Sequence, residues 1–109
     1  MKIKDLIQTR KFTLLNEVTS LDKEIESIYI CDLLSWVMSH AGNKCAWITV
    51  QTHANIVAVA LLLEMACIII PEGIKLEETT IVKAIEEDIP IISTKLNSYE
   101  IASMFSKEY

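Results

Sequence analysis

The most apolar part of the chain spans residues 48–73 and changes character partway along. Its first half is rich in alanine and leucine, whereas its second half, after Met65, is Ala-Cys-Ile-Ile-Ile followed by Pro71. Alanine and leucine favour a helix, while a β-branched run ended by Pro-Glu-Gly is typical of a buried strand and a turn. The pattern predicts a strand over residues 46–50, a helix over 54–65 and a strand over 67–70.

Two other interpretations of this stretch are weaker. A membrane-spanning helix needs about 20 mostly apolar residues. The longest uninterrupted apolar run here is residues 56–63, and Glu64 follows it. A carboxylate at mid-bilayer depth costs on the order of 3 kcal/mol. A single long helix would have to continue through the isoleucine run, which favours a strand. We therefore expect no membrane association.

The segment before this stretch has the same rhythm. Residues 27–31 alternate in the manner of a strand, with Ile28 and Ile30 on one face. Apolar residues at helical spacing follow, and Asp32 stands where it would cap that helix. The N-terminal part predicts a short helix near Ile3–Gln8 and an edge strand around residues 12–15.

The C-terminal part adds two more helices. Residues 77–88 predict a helix that Pro90 ends, and Ile91 begins a short strand. Asn97 and Glu100 form a capping-box pattern at the start of a last helix. Strands that alternate with helices form right-handed parallel units. The sequence thus predicts one α/β domain over residues 1–109, a three-layer fold with a mostly parallel sheet of four or five strands flanked by helices.

Composition narrows the class of protein. Hydrophobic residues make up 51% of the 109, which is enough to build a core. The formal net charge of −5, with no basic stripe, repels phosphate backbones, so we expect no nucleic-acid partner. The three cysteines are widely spaced and each falls in an apolar, strand-like segment. This pattern predicts reduced, buried thiols, with a zinc site or a disulfide as the alternative. The N-terminus also lacks the apolar core of a signal peptide, so we expect a cytoplasmic protein.

A candidate ligand site follows from the predicted topology. Ligands of open parallel sheets bind outside the carboxyl ends of the strands, where helix N-termini point. Polar residues follow four predicted strands there, and six of them are our candidate ligand-binding residues. They are Asp32, Gln51, Thr52, His53, Ser93 and Thr94.

Five of these six candidates, all except Gln51, also have a purely structural interpretation. Asp32 and Thr52 are favoured N-cap residues of the helices that follow them. A single histidine such as His53 is more often a surface residue than a general base or a ligand. Ser93 and Thr94 resemble many short polar loops before a helix. The sequence leaves both interpretations open.

Signals for an enzyme are weak. With Gly42 and Gly73 as the two glycines of the chain, neither GxxxxGK[ST] nor GxGxxG is present. The nucleophile elbow GxSxG is also missing. The paired carboxylates lie on predicted solvent-facing helix surfaces, and no cysteine or histidine has metal-ligand spacing. We therefore predict a protein without catalytic residues, metal or cofactor; a small hydrolase or transferase is the least supported function.

Two features favour self-association. The helix over residues 54–65 is apolar on nearly all sides, with Val57 and Leu61 on a side that the sheet does not cover. Trp36 lies among polar residues on its own helix, and an exposed tryptophan is typical of interfaces. These three residues are the candidate interface of a homodimer. The alternative to a homodimer is that neighbouring helices of the same chain cover both the apolar helix and Trp36.

Three runs carry a family resemblance: YICDLLSWVMSHAGNKCAWITVQTHANIVAVALL, ACIIIPEG and EEDIPIISTKLNSYEIA. They resemble the DRTGG domain over about residues 6–105. The resemblance implies the α/β fold found at the N-terminus of HPr kinase/phosphorylase and a non-catalytic regulatory or dimerisation role. Such domains accompany phosphotransacetylases and CBS-containing pyrophosphatases and also occur alone.

The sequence departs from the family at its namesake motif. That motif aligns with residues 22–28, where Asp22 matches, Lys23 is a basic substitute and both glycines are missing. Glycine permits positive φ and close backbone approach, so the resemblance does not carry over any ligand contact or turn that relied on those glycines. The leading hypothesis is a homodimeric regulatory module, and the second is a sensor of a nucleotide or anionic metabolite.

Overall fold

The computed structural model describes residues 1–106, in which helices and strands alternate over most of the chain. The helices are α1 (Ile3–Gln8), α2 (Leu34–His40), α3 (Asn55–Leu62), α4 (Glu78–Glu86) and α5 (Ser98–Ser106). The strands are β1 (Phe12–Leu14), β2 (Ser27–Ile30), β3 (Cys45–Ile48), β4 (Cys67–Ile70) and β5 (Ile91–Thr94). The predicted domain also includes residues 107–109, which lie outside the described residues.

The five strands form one sheet in the order β1-β5-β4-β3-β2. Neighbouring strands are parallel except at one edge, where β1 runs antiparallel to β5 and Phe12 lies opposite Thr94. Strands β3 and β4 are adjacent and parallel, and α3 connects them. The predicted crossover helix and the mostly parallel sheet are therefore confirmed.

Helices cover both faces of the sheet and create two cores. Trp47, Ile68 and Ile91 point to the face covered by α2, α3 and α4. Ile48 and Ile69 point to the opposite face, against apolar residues of α1 and α5. Because both faces are covered, β3 and β4 are buried at every position, as is typical of central parallel strands. The predicted three-layer α/β fold is confirmed.

The cysteines are unpaired. Cys45 and Cys67 are buried, and burial raises the pKa of both thiols. Cys31 is half-buried at the end of β2, where its carbonyl accepts a hydrogen bond from the indole nitrogen of Trp47 at 2.9 Å. Within residues 1–106, no helix is long and apolar enough to cross a bilayer.

Helix α3 ends at Leu62, earlier than the predicted residue 65. Glu64 adopts a left-handed conformation with φ +55°. Its N–H donates to the Leu61 carbonyl at 3.2 Å, and the Met65 N–H donates to the Ala60 carbonyl at 3.0 Å. This pair of bonds is the Schellman motif, in which glycine usually occupies the left-handed position. The early end of α3 is therefore caused by the local backbone conformation. The sequence does not indicate it, because Glu64 and not a glycine occupies the left-handed position.

Helix α4 ends in the same way, with Asp88 at φ +56°. The Asp88 N–H donates to the Ile85 carbonyl at 3.2 Å, and the Ile89 N–H donates to the Ala84 carbonyl at 3.0 Å. Unlike Glu64, Asp88 has side-chain partners: its carboxylate accepts bonds from the Thr19 N–H and hydroxyl, both at 2.7 Å. The two helix ends therefore share a backbone geometry and differ in what the side chain binds.

This difference predicts opposite effects of glycine at the two positions. Glu64→Gly is expected to raise the free energy of unfolding by about 0.5–1 kcal/mol, because glycine removes the left-handed penalty. Asp88→Gly removes the same penalty but also the bonds to Thr19, and is expected to lower that free energy by about 1 kcal/mol. Urea unfolding of both variants at neutral pH measures the two changes, and a loss of stability in Glu64→Gly would contradict this account.

The difference in the free energy of unfolding between wild type and Asp88→Gly should also depend on pH. The N–H of Thr19, and next its hydroxyl, lower the pKa of the Asp88 carboxyl in the folded protein. A lowered folded pKa stabilises the fold above the unfolded pKa, and this contribution is lost as pH falls through the folded value. The difference between wild type and Asp88→Gly should therefore stay constant near neutral pH and shrink below about pH 4.

Candidate functional site

The carboxyl ends of the four parallel strands lie at one edge of the sheet. Strand β4 separates β3 from β5, however, so the six candidate ligand-binding residues fall into two groups. Asp32, Gln51, Thr52 and His53 follow β2 and β3, whereas Ser93 and Thr94 end β5. With neighbouring strands about 4.8 Å apart, the ends of β3 and β5 are about 10 Å apart.

Asp32 does not cap α2, and that prediction is wrong. The N-cap is Leu33, without a side-chain capping bond. The Asp32 carboxylate instead accepts bonds from the Thr49 hydroxyl at 2.9 Å and from the Val50 N–H at 2.8 Å. The Gln51 amide nitrogen donates to the Asp32 carbonyl at 2.8 Å. Asp32 and Gln51 thus join the segments that follow β2 and β3.

Thr52 does not cap α3 either. This helix begins at Asn55 with Ala54 as its N-cap, and the Thr52 carbonyl accepts a bond from the Thr80 hydroxyl of α4 at 2.7 Å. His53 takes over part of the capping role, since its Nδ1 accepts a bond from the Asn55 N–H at 3.2 Å. Accepting there places the proton of the neutral ring on Nε2. His53 is exposed, and its Nε2 edge faces solvent without a hydrogen-bond partner among residues 1–106.

At the end of β5, Thr94 is buried and Ser93 is half-buried. The Thr94 hydroxyl donates to the Lys11 carbonyl at 2.7 Å and accepts a bond from the Leu96 N–H at 3.2 Å. Both residues line a cleft of about 420 Å³, and Arg10, Lys11 and Lys95 line it as well. Lys95 directly follows Thr94 in the sequence. The sequence did not predict Arg10 and Lys11 at this cleft, because their approach depends on the pairing of β1 with β5.

The three predicted interface residues differ in their exposure to solvent. Trp36 is 51% exposed and stacks on the His40 ring, with ring centroids 3.8 Å apart, and Leu61 is also exposed. Val57 is fully buried in the core, so its assignment to a surface interface is wrong. The reason is that α3 packs against both α2 and α4, which cover more of its circumference than the sheet alone.

Large apolar side chains nonetheless remain exposed on the solvent side of these three helices. We call this surface the outer helix face. Its members are Leu33, Trp36 and Met38 of the α2 region, Leu61 and Leu62 of α3, and Val82 and Ile85 of α4.

The family model of the DRTGG domain matches residues 5–107 of the sequence. The chain belongs to the DRTGG domain family. This match confirms the resemblance inferred from the sequence runs. No curated protein matches the chain.

A solved structure has the same fold as this DRTGG domain. It contains the CBS and DRTGG domains of the regulatory region of a Clostridium perfringens pyrophosphatase, complexed with the activator diadenosine tetraphosphate. The TM-score is 0.77 at 14% sequence identity, over 94% of this chain and 44% of the other. The present chain therefore spans less than half of that regulatory region.

Residues 22–28, which were predicted to align with the namesake motif, border a separate cleft of about 540 Å³ at the amino ends of the strands. Lys23, Glu24 and Glu26 line it, together with the ends of α3 and α4. Two of the carboxylates that line this cleft form ion pairs. Glu24 pairs with the N-terminal amine at 3.1 Å, and Glu26 pairs with Lys44 at 3.4 Å. This cleft lies at the opposite end of the strands from the predicted ligand site.

Proposed function

We propose that this DRTGG domain is a non-catalytic regulatory module that works as a homodimer through its outer helix face. The observation that carries the proposal is the exposure of large apolar side chains on three adjacent helices, with Leu62 65% exposed and Leu33 63% exposed. Large apolar side chains that are exposed in a group mark interaction sites in proteins. Burial of one leucine stabilises an interface by roughly 1.5–3 kcal/mol.

The position of α3 favours a second copy as the partner. This helix lies between α2 and α4, so a two-fold axis passing near Leu62 would bring the same three helices of both copies together. Isologous contacts of this type are the commonest form of association among soluble oligomers. Trp36, stacked on His40 at one border of the face, supplies the rigid aromatic contact that interfaces favour.

The chemistry of the domain supports a non-catalytic role. The thiols of Cys45 and Cys67 are buried and their pKa is raised, which disfavours the reactive thiolate. Over residues 1–106, no group of three metal-ligating side chains comes together. Unpaired cysteines fit the reducing conditions of the cytoplasm, where we infer that the protein works.

Light scattering at micromolar concentration tests the proposed homodimer. The expected result is a mass twice that of the 12.3 kDa chain. A mass that stays at the monomer value as concentration is raised would refute the proposed function.

A second candidate function is that of a sensor for a nucleotide or an anionic metabolite, bound at the carboxyl ends of the strands. The cationic cleft beside Ser93 favours it. The nucleotide activator in the similar pyrophosphatase region, which also contains CBS domains, is a reason to include nucleotides among the ligands tested. The two candidate functions are compatible, because a dimer can also bind a ligand.

A melting-temperature screen against nucleotides and anionic metabolites tests the sensor function. A ligand that binds the folded state stabilises it, by about 2.7 kcal/mol at a concentration 100 times its dissociation constant. Ser93→Ala and His53→Ala report which of the two polar groups contacts that ligand. A broad screen in which no compound shifts the melting temperature would contradict the sensor function.

A further inference from the structure

Three cations meet where β1 lies beside β5. Phe12 and Thr94 are the final opposed pair of this antiparallel ladder. Lys11 precedes Phe12 and Lys95 follows Thr94, so the two lysines extend from the same end of two adjacent strands. Arg10, in a left-handed conformation with φ +65°, adds a third cation to the same cleft.

Hydroxyl groups lie beside these cations. Thr13 and Ser93 are opposed residues of the same ladder, and both line the cleft. Opposed residues of an antiparallel pair project from the same face, with Cβ atoms about 5 Å apart. Thr13 is exposed and Ser93 is half-buried, so the two side chains are accessible from the cleft.

The charge of this cleft is opposite to that of the chain. The formal net charge of the protein is −5, yet three cations and no carboxylate of the described residues line this cleft. The cleft at the amino ends of the strands contains Glu24, Glu26 and three further carboxylates, with two lysines. A third cleft, between α3 and α4, contains two glutamates and one lysine. Among these three clefts, the one at the end of β5 is therefore the one with an excess of positive charge.

The three cations of this cleft are also not neutralised by carboxylates of the described residues. Within residues 1–106, Arg10, Lys11 and Lys95 form no ion pair, whereas Lys4, Lys44 and Lys83 each pair with a carboxylate. Like charges placed next to each other across strands are destabilising. A bound anion would remove that repulsion and accept hydrogen bonds from the neighbouring hydroxyls.

We infer that the cleft formed by Arg10, Lys11, Thr13, Ser93 and Lys95 binds the phosphoryl group of a small molecule. This inference rests on the sensor function proposed above and gives it a location and a ligand chemistry. Arginine offers paired N–H donors to phosphate oxygens, and lysine adds point charges. The volume of about 420 Å³ is within the range of small-molecule sites. The overall negative charge disfavours a long polyanion.

Titration with inorganic phosphate, pyrophosphate and ATP tests the site. Two-dimensional NMR spectra of the ¹⁵N-labelled chain at low salt should show shifts at the amides of Thr13, Ser93 and Lys95. In a Lys11→Gln/Lys95→Gln variant, the dissociation constant of the tightest probe should rise at least about tenfold, since two charge-assisted contacts are lost. Lys75→Gln, an exposed lysine outside the cleft, is the matched control and should bind as wild type does.

The three probes separate the sources of the phosphoryl group. Equal affinity for phosphate and ATP would support recognition of the phosphoryl group alone, and tighter ATP binding would support a nucleotide that extends beyond the cleft. Absence of binding by all three probes would overturn the inference. It would not affect the proposed homodimer, which light scattering tests independently. Shifts at His53 and Gln51 without loss in the lysine variant would also overturn it, while supporting a sensor site elsewhere.

Discussion

Asn16→Ala is expected to lower the free energy of unfolding by about 3 kcal/mol, because it leaves one buried donor and one buried acceptor unpaired. Asn16 is 5% exposed. Its Nδ2 donates to the Ile89 carbonyl at 2.7 Å, and its Oδ1 accepts a bond from the Ile91 N–H at 2.8 Å. The Leu15 N–H already donates to the Ile91 carbonyl, so the Asn16 amide continues the β1–β5 ladder beyond the last β1 residue.

Urea unfolding measures this loss, with Asn43→Ala as the control. Asn43 is exposed between α2 and β3, and its replacement should change the free energy of unfolding by less than about 0.5 kcal/mol. A loss of less than about 1 kcal/mol in Asn16→Ala, the low end for a buried group left unsatisfied, would contradict this role of the Asn16 amide.

Leu62→Glu is expected to weaken the proposed dimer at least about 100-fold, which corresponds to about 3 kcal/mol. Leu62 is 65% exposed in the single chain, so the substitution should leave the stability of the monomer nearly unchanged. A two-fold interface contains the new carboxylate twice, and each copy must lose water against apolar neighbours.

Sedimentation equilibrium measures this effect, and Tyr99→Glu is the matched control. Tyr99 is 78% exposed on α5, the helix on the opposite face of the sheet. Leu62→Glu should be monomeric at concentrations where wild type and Tyr99→Glu are dimeric. Dissociation caused by Tyr99→Glu alone would move the interface to the other layer and contradict the proposal.

Periodicity and propensity predicted most of the fold. The isoleucine run located β4 at Cys67–Ile70, and the β-branched pattern located β2 and β5 close to their observed bounds. The capping box of α5 forms as expected, with reciprocal bonds between Asn97 and Glu100 at 3.0 and 2.9 Å. The end of α3 was missed because Glu64 occupies a left-handed position where the usual glycine signal is missing.

The site was harder to predict because its contacts connect distant parts of the chain. Asp32 stands in a typical N-cap position, but its partner Thr49 lies 17 residues away on a neighbouring strand segment. The approach of Lys11 to Ser93 requires that β1 pair with β5, which local sequence pattern does not reveal. Likewise, the burial of Val57 depends on how closely α2 and α4 pack beside α3.

An isotope-filtered NOE experiment on a mixture of labelled and unlabelled chains detects contacts across the proposed homodimer interface. Intermolecular NOEs are expected at the indole of Trp36 and at the methyl groups of the aliphatic residues of the outer helix face, Leu61, Leu62, Val82 and Ile85. A mixture that gives no intermolecular NOE, or gives them only at residues outside the outer helix face, would contradict that interface.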